Sequence, residues 1–124
     1  MPYVDGFVLP LPKKNVAAYR RMATKASKIW RRLGALEYRE CLGDDLEGSV
    51  CLTFPKGIKI KKGETVVFAW IVYRSRAHRD AVNEKVMKDP EIVAMMSKKS
   101  PFDPTRMLYG GFKVIVESFA RGKR

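Results

Sequence analysis

Histidine is nearly absent from this chain, with His78 alone, and cysteine is limited to Cys41 and Cys51. Neither a Cys-x-x-Cys nor a His-x-x-x-His spacing occurs, which argues against a structural zinc site. A disulfide between the two thiols is not expected in a cytosolic chain, and buried thiols are expected instead. Long apolar runs are also missing. The longest, Val66–Tyr73, has eight residues, where a membrane-spanning helix needs about 20. The first residues lack a basic n-region, and Asp5 and Pro10 interrupt any apolar segment. No signal peptide is therefore expected, and the cytoplasm is the default address. Acids are scarce as well: 13 Asp and Glu face 25 Lys and Arg in 124 residues, a formal net charge of +12.

What is present is a well-spread apolar fraction of 46%, enough to exclude disorder as the main state. At this length one domain is expected, over residues 1–118, followed by a basic tail at 119–124. The positive charge is uneven. Residues 1–34 carry eight cations against Asp5, whereas residues 35–55 carry Arg39 against five acids. The surface is expected to be polarised rather than uniformly basic.

Tyr3–Leu9 reads as a strand stopped by Pro10-Leu-Pro12. Asn15 is expected to cap a helix whose apolar stripe runs Val16, Tyr19, Met22, Ala23, Ala26, Ile29, Trp30, Leu33, ending at Gly34. Its outer face carries the row Arg21, Lys25, Lys28 and Arg32, with no acid on the helix to pair them. Ala35–Leu42 is a second strand. Residues 46–63 read as irregular, with room for a short hairpin. Thr65–Tyr73 is the strongest strand, followed by a helix capped by Ser75 and a short one opened by Asp89-Pro90-Glu91. Arg106–Phe119 reads as the last strand.

This order predicts an α+β, ferredoxin-like sandwich: a four-stranded antiparallel sheet with two helices on one face. The third strand is apolar on both sides, Val67, Ala69, Ile71 and Tyr73 against Val66, Phe68, Trp70 and Val72. Two helices cover one face only, so a second copy of the sheet is expected on the other, in a two-fold homodimer.

Several segments follow in an order that resembles the YbaA-like proteins, a bacterial family of unknown function. They include Tyr3-Val-Asp-Gly-Phe-Val8, Val66-Val-Phe-Ala-Trp-Ile71, Arg79-Asp-Ala-Val-Asn83, Met87-Lys-Asp-Pro90 and Arg106-Met-Leu-Tyr-Gly-Gly-Phe112. The resemblance spans Tyr3 to about Val116. It implies a dimeric α/β barrel, whose superfamily includes cofactor-free monooxygenases, haem-degrading enzymes, muconolactone isomerases and stress-responsive barrels. A lumen fit for a small molecule is implied with it. Pro104 stands where the family usually has glycine, the 46–62 run differs, and the basic helix row is not a family feature.

Asp5 interrupts an apolar strand between Tyr3 and Phe7. It is expected either to pair with an arginine such as Arg39 or Arg106, or to act as a lumen carboxylate. His78 is the one histidine able to act as a general base, against a plain hydrogen-bonded role at a helix start. Arg79 and Asn83 share a helix face, as a structural network or as ligand contacts. Tyr3, Phe68, Trp70 and Tyr109 are expected to line the same cavity, or else to serve as core or interface. Gly110-Gly111 suggests a bulge or a close backbone approach. No cofactor and no metal are expected.

The reading is a protein binding a small apolar or aromatic molecule. A cofactor-free enzyme using Asp5 or His78 is one alternative. An electrostatic nucleic-acid or partner-binding module is another, disfavoured by an uncharged central strand that lacks an RNA-recognition signature.

Overall fold

The computed structural model describes residues 1–120. Residues 121–124, the cationic end of the expected tail, lie outside the described residues. The elements are β1 (Tyr3–Pro12), α1 (Val16–Arg32), β2 (Glu37–Leu42), α2 (Phe54–Gly57), β3 (Glu64–Tyr73), α3 (Arg76–Lys88), α4 (Pro90–Met96) and β4 (Leu108–Lys113). The sheet order is β2-β3-β1-β4, with each neighbouring pair antiparallel. This is the ferredoxin-like α+β arrangement that the element order implied. Among the described residues no helix is long and apolar enough to cross a membrane.

The register sorts side chains onto two faces. Asp5 lies opposite Ile71 and Gly111, and Phe7 opposite Ala69 and Tyr109, while Tyr38 and Glu40 of β2 face Ile71 and Ala69. These odd-numbered positions of β1 and β3 turn toward the helices. Leu9, Leu11 and Tyr73 are fully buried there with Val82 and Val86 of α3, each worth about 1.5–3 kcal/mol. The even-numbered positions, Phe68 and Trp70 among them, turn to the outer face.

Four local readings need correction. β1 continues through Pro10 and Pro12, pairing with Val66 and Glu64. Even-numbered residues of β1 direct their backbone polar groups to the β4 side, as Pro2 does in accepting from the Val114 N–H. Since β4 stops opposite Val8, the prolines leave no ladder bond unmade. β4 is shorter than expected, and Arg106 lies in a 3₁₀ turn, Pro104–Arg106, before it. The 46–63 run holds the single-turn helix α2 and no hairpin. Asn15 sits at the N-cap position without capping. Its Nδ2 donates instead to the Pro101 carbonyl at 2.7 Å.

The other caps follow their residue types. Ser75 Oγ accepts from the His78 N–H at 3.1 Å, and Asp89 Oδ1 accepts from the Glu91 and Ile92 N–H groups. Gly34, past the end of α1, has φ +125°, a conformation that glycine alone adopts readily. Arg106 grips Glu64 through two hydrogen bonds of 2.6 and 2.9 Å, tying the 3₁₀ turn to the start of β3.

The core is divided. One cluster holds Ile29, Ile71, Tyr73, Val82, Val86 and Ile92 with their small neighbours, and the other gathers Leu9, Leu11, Tyr19 and Val67. Ala23 and Ala26 of α1 and Ala69 of β3, divided between the two clusters, line one space. Larger side chains would be required there to reach the usual packing density. Space is left instead.

Candidate functional site

That space is a cavity of about 610 Å³ between the inner sheet face and the helices. Its wall is mostly apolar, with Phe7, Tyr19, Trp30, Tyr38 and Phe102 supplying rings. Met22, Met87, Met95, Met96 and Met107 add flexible thioethers, side chains that reshape easily around different contents. Lys98 and Lys99 also border it and are exposed, so cations mark its solvent side. Two carboxylates, Asp5 and Glu40, enter the wall from β1 and β2, the first buried and the second exposed at the cavity's edge. β3 lies between them, so they stand on the order of 10 Å apart.

Asp5 is 1% exposed, and each of its oxygens has a partner. Arg79 Nη1 donates to Oδ1 at 2.6 Å, and Asn83 Nδ2 approaches Oδ2 at 3.4 Å. Asn83 is itself fixed, its Oδ1 accepting from Trp30 Nε1 at 3.2 Å and Tyr73 Oη at 3.1 Å. Arg79 also bonds Asp80 at 2.7 Å and Tyr109 Oη at 3.0 Å, and its guanidinium lies 4.9 Å from the Tyr3 ring centre. Burial works against the Arg79 charge. The Asp80 hydrogen bond and the Asp5 carboxylate outweigh it and hold the guanidinium above its ordinary range. Burial, then the Asp5 charge, push the Tyr73 and Tyr109 hydroxyls up.

Gly111 makes this possible. A Cβ there would come within 2.5 Å of Tyr3 Oη and 3.0 Å of Arg79 Nη1. The close-approach reading of Gly110-Gly111 is thus the physical one: Arg79 reaches Asp5 through the space a side chain would fill.

Glu40 is held differently. Tyr19 Oη donates to Oε1 at 2.7 Å and Tyr38 Oη to Oε2 at 2.9 Å. No cation pairs with it among the described residues. Burial of the carboxyl raises its pKa, and the two phenol hydrogen bonds oppose that rise without cancelling it. Both phenols are driven well above their usual range, by burial first and the Glu40 charge second. Sequence reasoning missed this group. The available signal was the alternation of β2, which puts Tyr38 and Glu40 on one side and Glu37, Arg39 and Cys41 on the other.

Of the sequence-predicted residues, Asp5, Asn83 and Tyr109 line the cavity, with Arg79 bonded to Asp5 beside it and Tyr3 against the Arg79 guanidinium. Asp5 pairs with neither Arg39 nor Arg106, which are engaged by Glu37 and Glu64. Phe68 and Trp70 do not share this cavity with Tyr109. One residue along a strand reverses the face, and they lie on the outer side, rings 5.5 Å apart, with Trp70 Nε1 donating to Glu37 Oε2 at 2.7 Å. They line a second space of about 530 Å³ there, between the sheet and residues 114–119.

His78 is outside both spaces. Its Nδ1 accepts from the Arg74 N–H at 2.9 Å, and its ring meets Tyr73 edge-on. Burial and the charges of Arg74 and Lys85 lower its pKa. The thiols are not buried either: Cys41 is half-buried and Cys51 exposed, both free. Two members of the basic row have partners on or beside α4, Lys25 with Glu91 at 3.6 Å and Arg32 with Asp89 at 2.6 Å. No group of three or more His, Cys, Asp or Glu among the described residues is placed to hold a metal ion.

Fold and cavity together define a ferredoxin-like α+β protein with one sheet face covered by helices and the other covered in part by α2 and residues 114–119. Two solved structures share the fold. Rv0793 from Mycobacterium tuberculosis matches with a TM-score of 0.59 and 15% identity, over 96% of this chain and 100% of that one. A protein from an uncultured marine organism, described as a dimeric ferredoxin-like protein, matches with a TM-score of 0.54 and 12% identity, covering 95% and 100%. A family model described as protein of unknown function (DUF1428) matches residues 2–104, and the chain belongs to that family. It is 42% identical over 117 residues to the uncharacterized protein YbaA of Escherichia coli K12, covering 94% of this chain and 99% of the relative. The same figures hold for YbaA of Shigella flexneri.

Proposed function

We propose that the chain binds a small apolar or aromatic molecule in the cavity between the inner sheet face and the helices. The observation that carries this reading is the cavity itself. About 610 Å³ falls within the range of roughly 300–1,000 Å³ typical of small-molecule sites, and a mostly apolar wall with few polar groups is their usual character. The test uses the two tryptophans, since Trp30 borders the cavity and Trp70 does not. Titration with 2-naphthol is expected to quench Trp30 emission, measured in the Trp70→Phe variant. Filling the cavity with Ala69→Phe is expected to weaken that binding at least ~10-fold. Unchanged binding by a folded Ala69→Phe protein would overturn the reading.

The functional unit in this reading is a homodimer joined through the outer sheet face. Phe68, Leu108 and Phe112 are 44%, 56% and 61% exposed there, an apolar patch of the kind that marks association surfaces. The solved neighbour described as dimeric supports it by fold alone. The two free thiols fit a reducing cytoplasmic compartment. A second reading, proton-transfer catalysis without a cofactor, draws support from Glu40, whose raised pKa suits an acid or base. Asp5, tied to Arg79, is suited to orienting a substrate. The pairing of Lys25 and Arg32 with acids beside them disfavours an electrostatic nucleic-acid role.

A further inference from the structure

We propose that Glu40, braced by Tyr19 and Tyr38, is the group that recognises the bound molecule. That molecule is a neutral aromatic or apolar compound bearing a hydroxyl or N–H donor. The inference rests on the cavity reading and adds to it the chemistry of the occupant.

The two carboxylates of the wall are held in different ways, Asp5 buried and paired with a cation, Glu40 exposed and held by phenols alone. At the Asp5 end, Arg79, Asn83, Trp30, Tyr73 and Tyr109 bond one another and both carboxylate oxygens. At the Glu40 end each carboxylate oxygen accepts a single phenol proton. A carboxylate has about four lone-pair sites, and a phenol oxygen can still accept after donating. Every spare polar valence of the Glu40, Tyr19 and Tyr38 group is therefore an acceptor. Glu40 is exposed at the cavity's edge, so an occupant that reaches it takes the place of water and must bring a donor, because an acceptor there would leave the carboxylate without the hydrogen bond it loses.

The rest of the wall narrows the class. Tyr19, Tyr38 and Phe102 surround this end with rings, the Tyr19 and Phe102 rings meeting edge-on at 5.7 Å, which suits a flat apolar body. Lys98 and Lys99 border the cavity, so an ammonium group would enter against two like charges. A neutral hydroxyl or N–H does not meet that barrier.

The test is a matched pair, 2-naphthol and 2-methoxynaphthalene, which have the same ring system and differ in the donor. Wild-type protein is expected to bind 2-naphthol at least ~10-fold more tightly, as befits a hydrogen bond to a charged acceptor. Glu40→Leu is expected to bring the two within ~2-fold by weakening 2-naphthol alone. Equal wild-type affinities for both compounds would overturn the proposal while leaving the cavity reading standing. Binding of neither would overturn both. A preference that survives Glu40→Leu would overturn the assignment to Glu40. Should that variant fail to fold by circular dichroism, Tyr38→Phe decides. It frees one carboxylate lone pair, so a wider 2-naphthol preference supports the proposal and an unchanged or narrower one overturns it.

Discussion

Asp5 and Glu40 stand on the same face of the same sheet and border the same cavity, yet they are satisfied in opposite ways. Asp5 has a guanidinium, an amide and near-complete burial. Glu40 has two phenols and no cation among the described residues. The first arrangement neutralises a charge and closes it off from solvent. The second solvates a charge with neutral donors and keeps acceptor capacity toward the cavity. A carboxylate in a cavity wall is thus not by itself a sign of chemistry, because its burial and its partners decide whether it is structural, as the buried Asp5 is, or available, as the exposed Glu40 is.

Removing the cation should break the comparison most severely. Arg79→Ala strands a buried carboxylate and is expected to cost about 3–5 kcal/mol in urea unfolding. Asp5→Asn combined with Arg79→Met should regain most of that loss. Next in size is Gly111→Ala, which forces Arg79 and Tyr3 away from Asp5 and should cost about 1–3 kcal/mol by the same measurement. Glu40→Gln strips no counter-ion and is expected to change stability by about 1 kcal/mol or less.

The smallest effect is in pH dependence, where two carboxyls have opposite signs. Glu40 has a raised folded pKa, so the folded state holds its proton longer and stability falls as pH rises above the ordinary 4.5. Glu64, hydrogen-bonded by Arg106, is lowered to about 2. Its contribution is full above 4.5 and is lost as pH falls toward 2. Tm measured from pH 2 to 7 should flatten on the high side in Glu40→Gln and on the low side in Arg106→Ala.

The two sheet faces extend the contrast. The inner face is closed by helices over a cavity with charged groups built into its wall. The outer one carries Phe68, Trp70 and Phe112, with Phe54 of α2 5.9 Å from Phe68 as a partial cover. A Phe68→Glu, Phe112→Glu double variant should remain folded and sediment as a monomer at micromolar concentration, where the wild type is expected to be a dimer.

Much of this architecture was legible in residue order. The helical stripe from Val16 to Leu33, the Ser75 and Asp89 caps and the uncharged β3 all follow from short-range rules, and they led to the correct α+β order. The same rules failed at Pro10 and Pro12, because whether a strand proline is tolerated depends on where a neighbouring strand stops. They also overextended β4 to Phe119, since apolar alternation continues where no ladder partner exists.

For the site, the sequence by itself determined that Asp5 would need a partner and that Arg79 and Asn83 would act together. Helix periodicity and the cost of burying a charge require no tertiary knowledge. Only the tertiary structure decided that the partner is Arg79, that Phe68 and Trp70 face away from Tyr109, and that Glu40 meets Tyr19 from a helix and Tyr38 from its own strand. Those contacts join residues up to 74 positions apart. Long-range register and packing set them, and local pattern has no access to either.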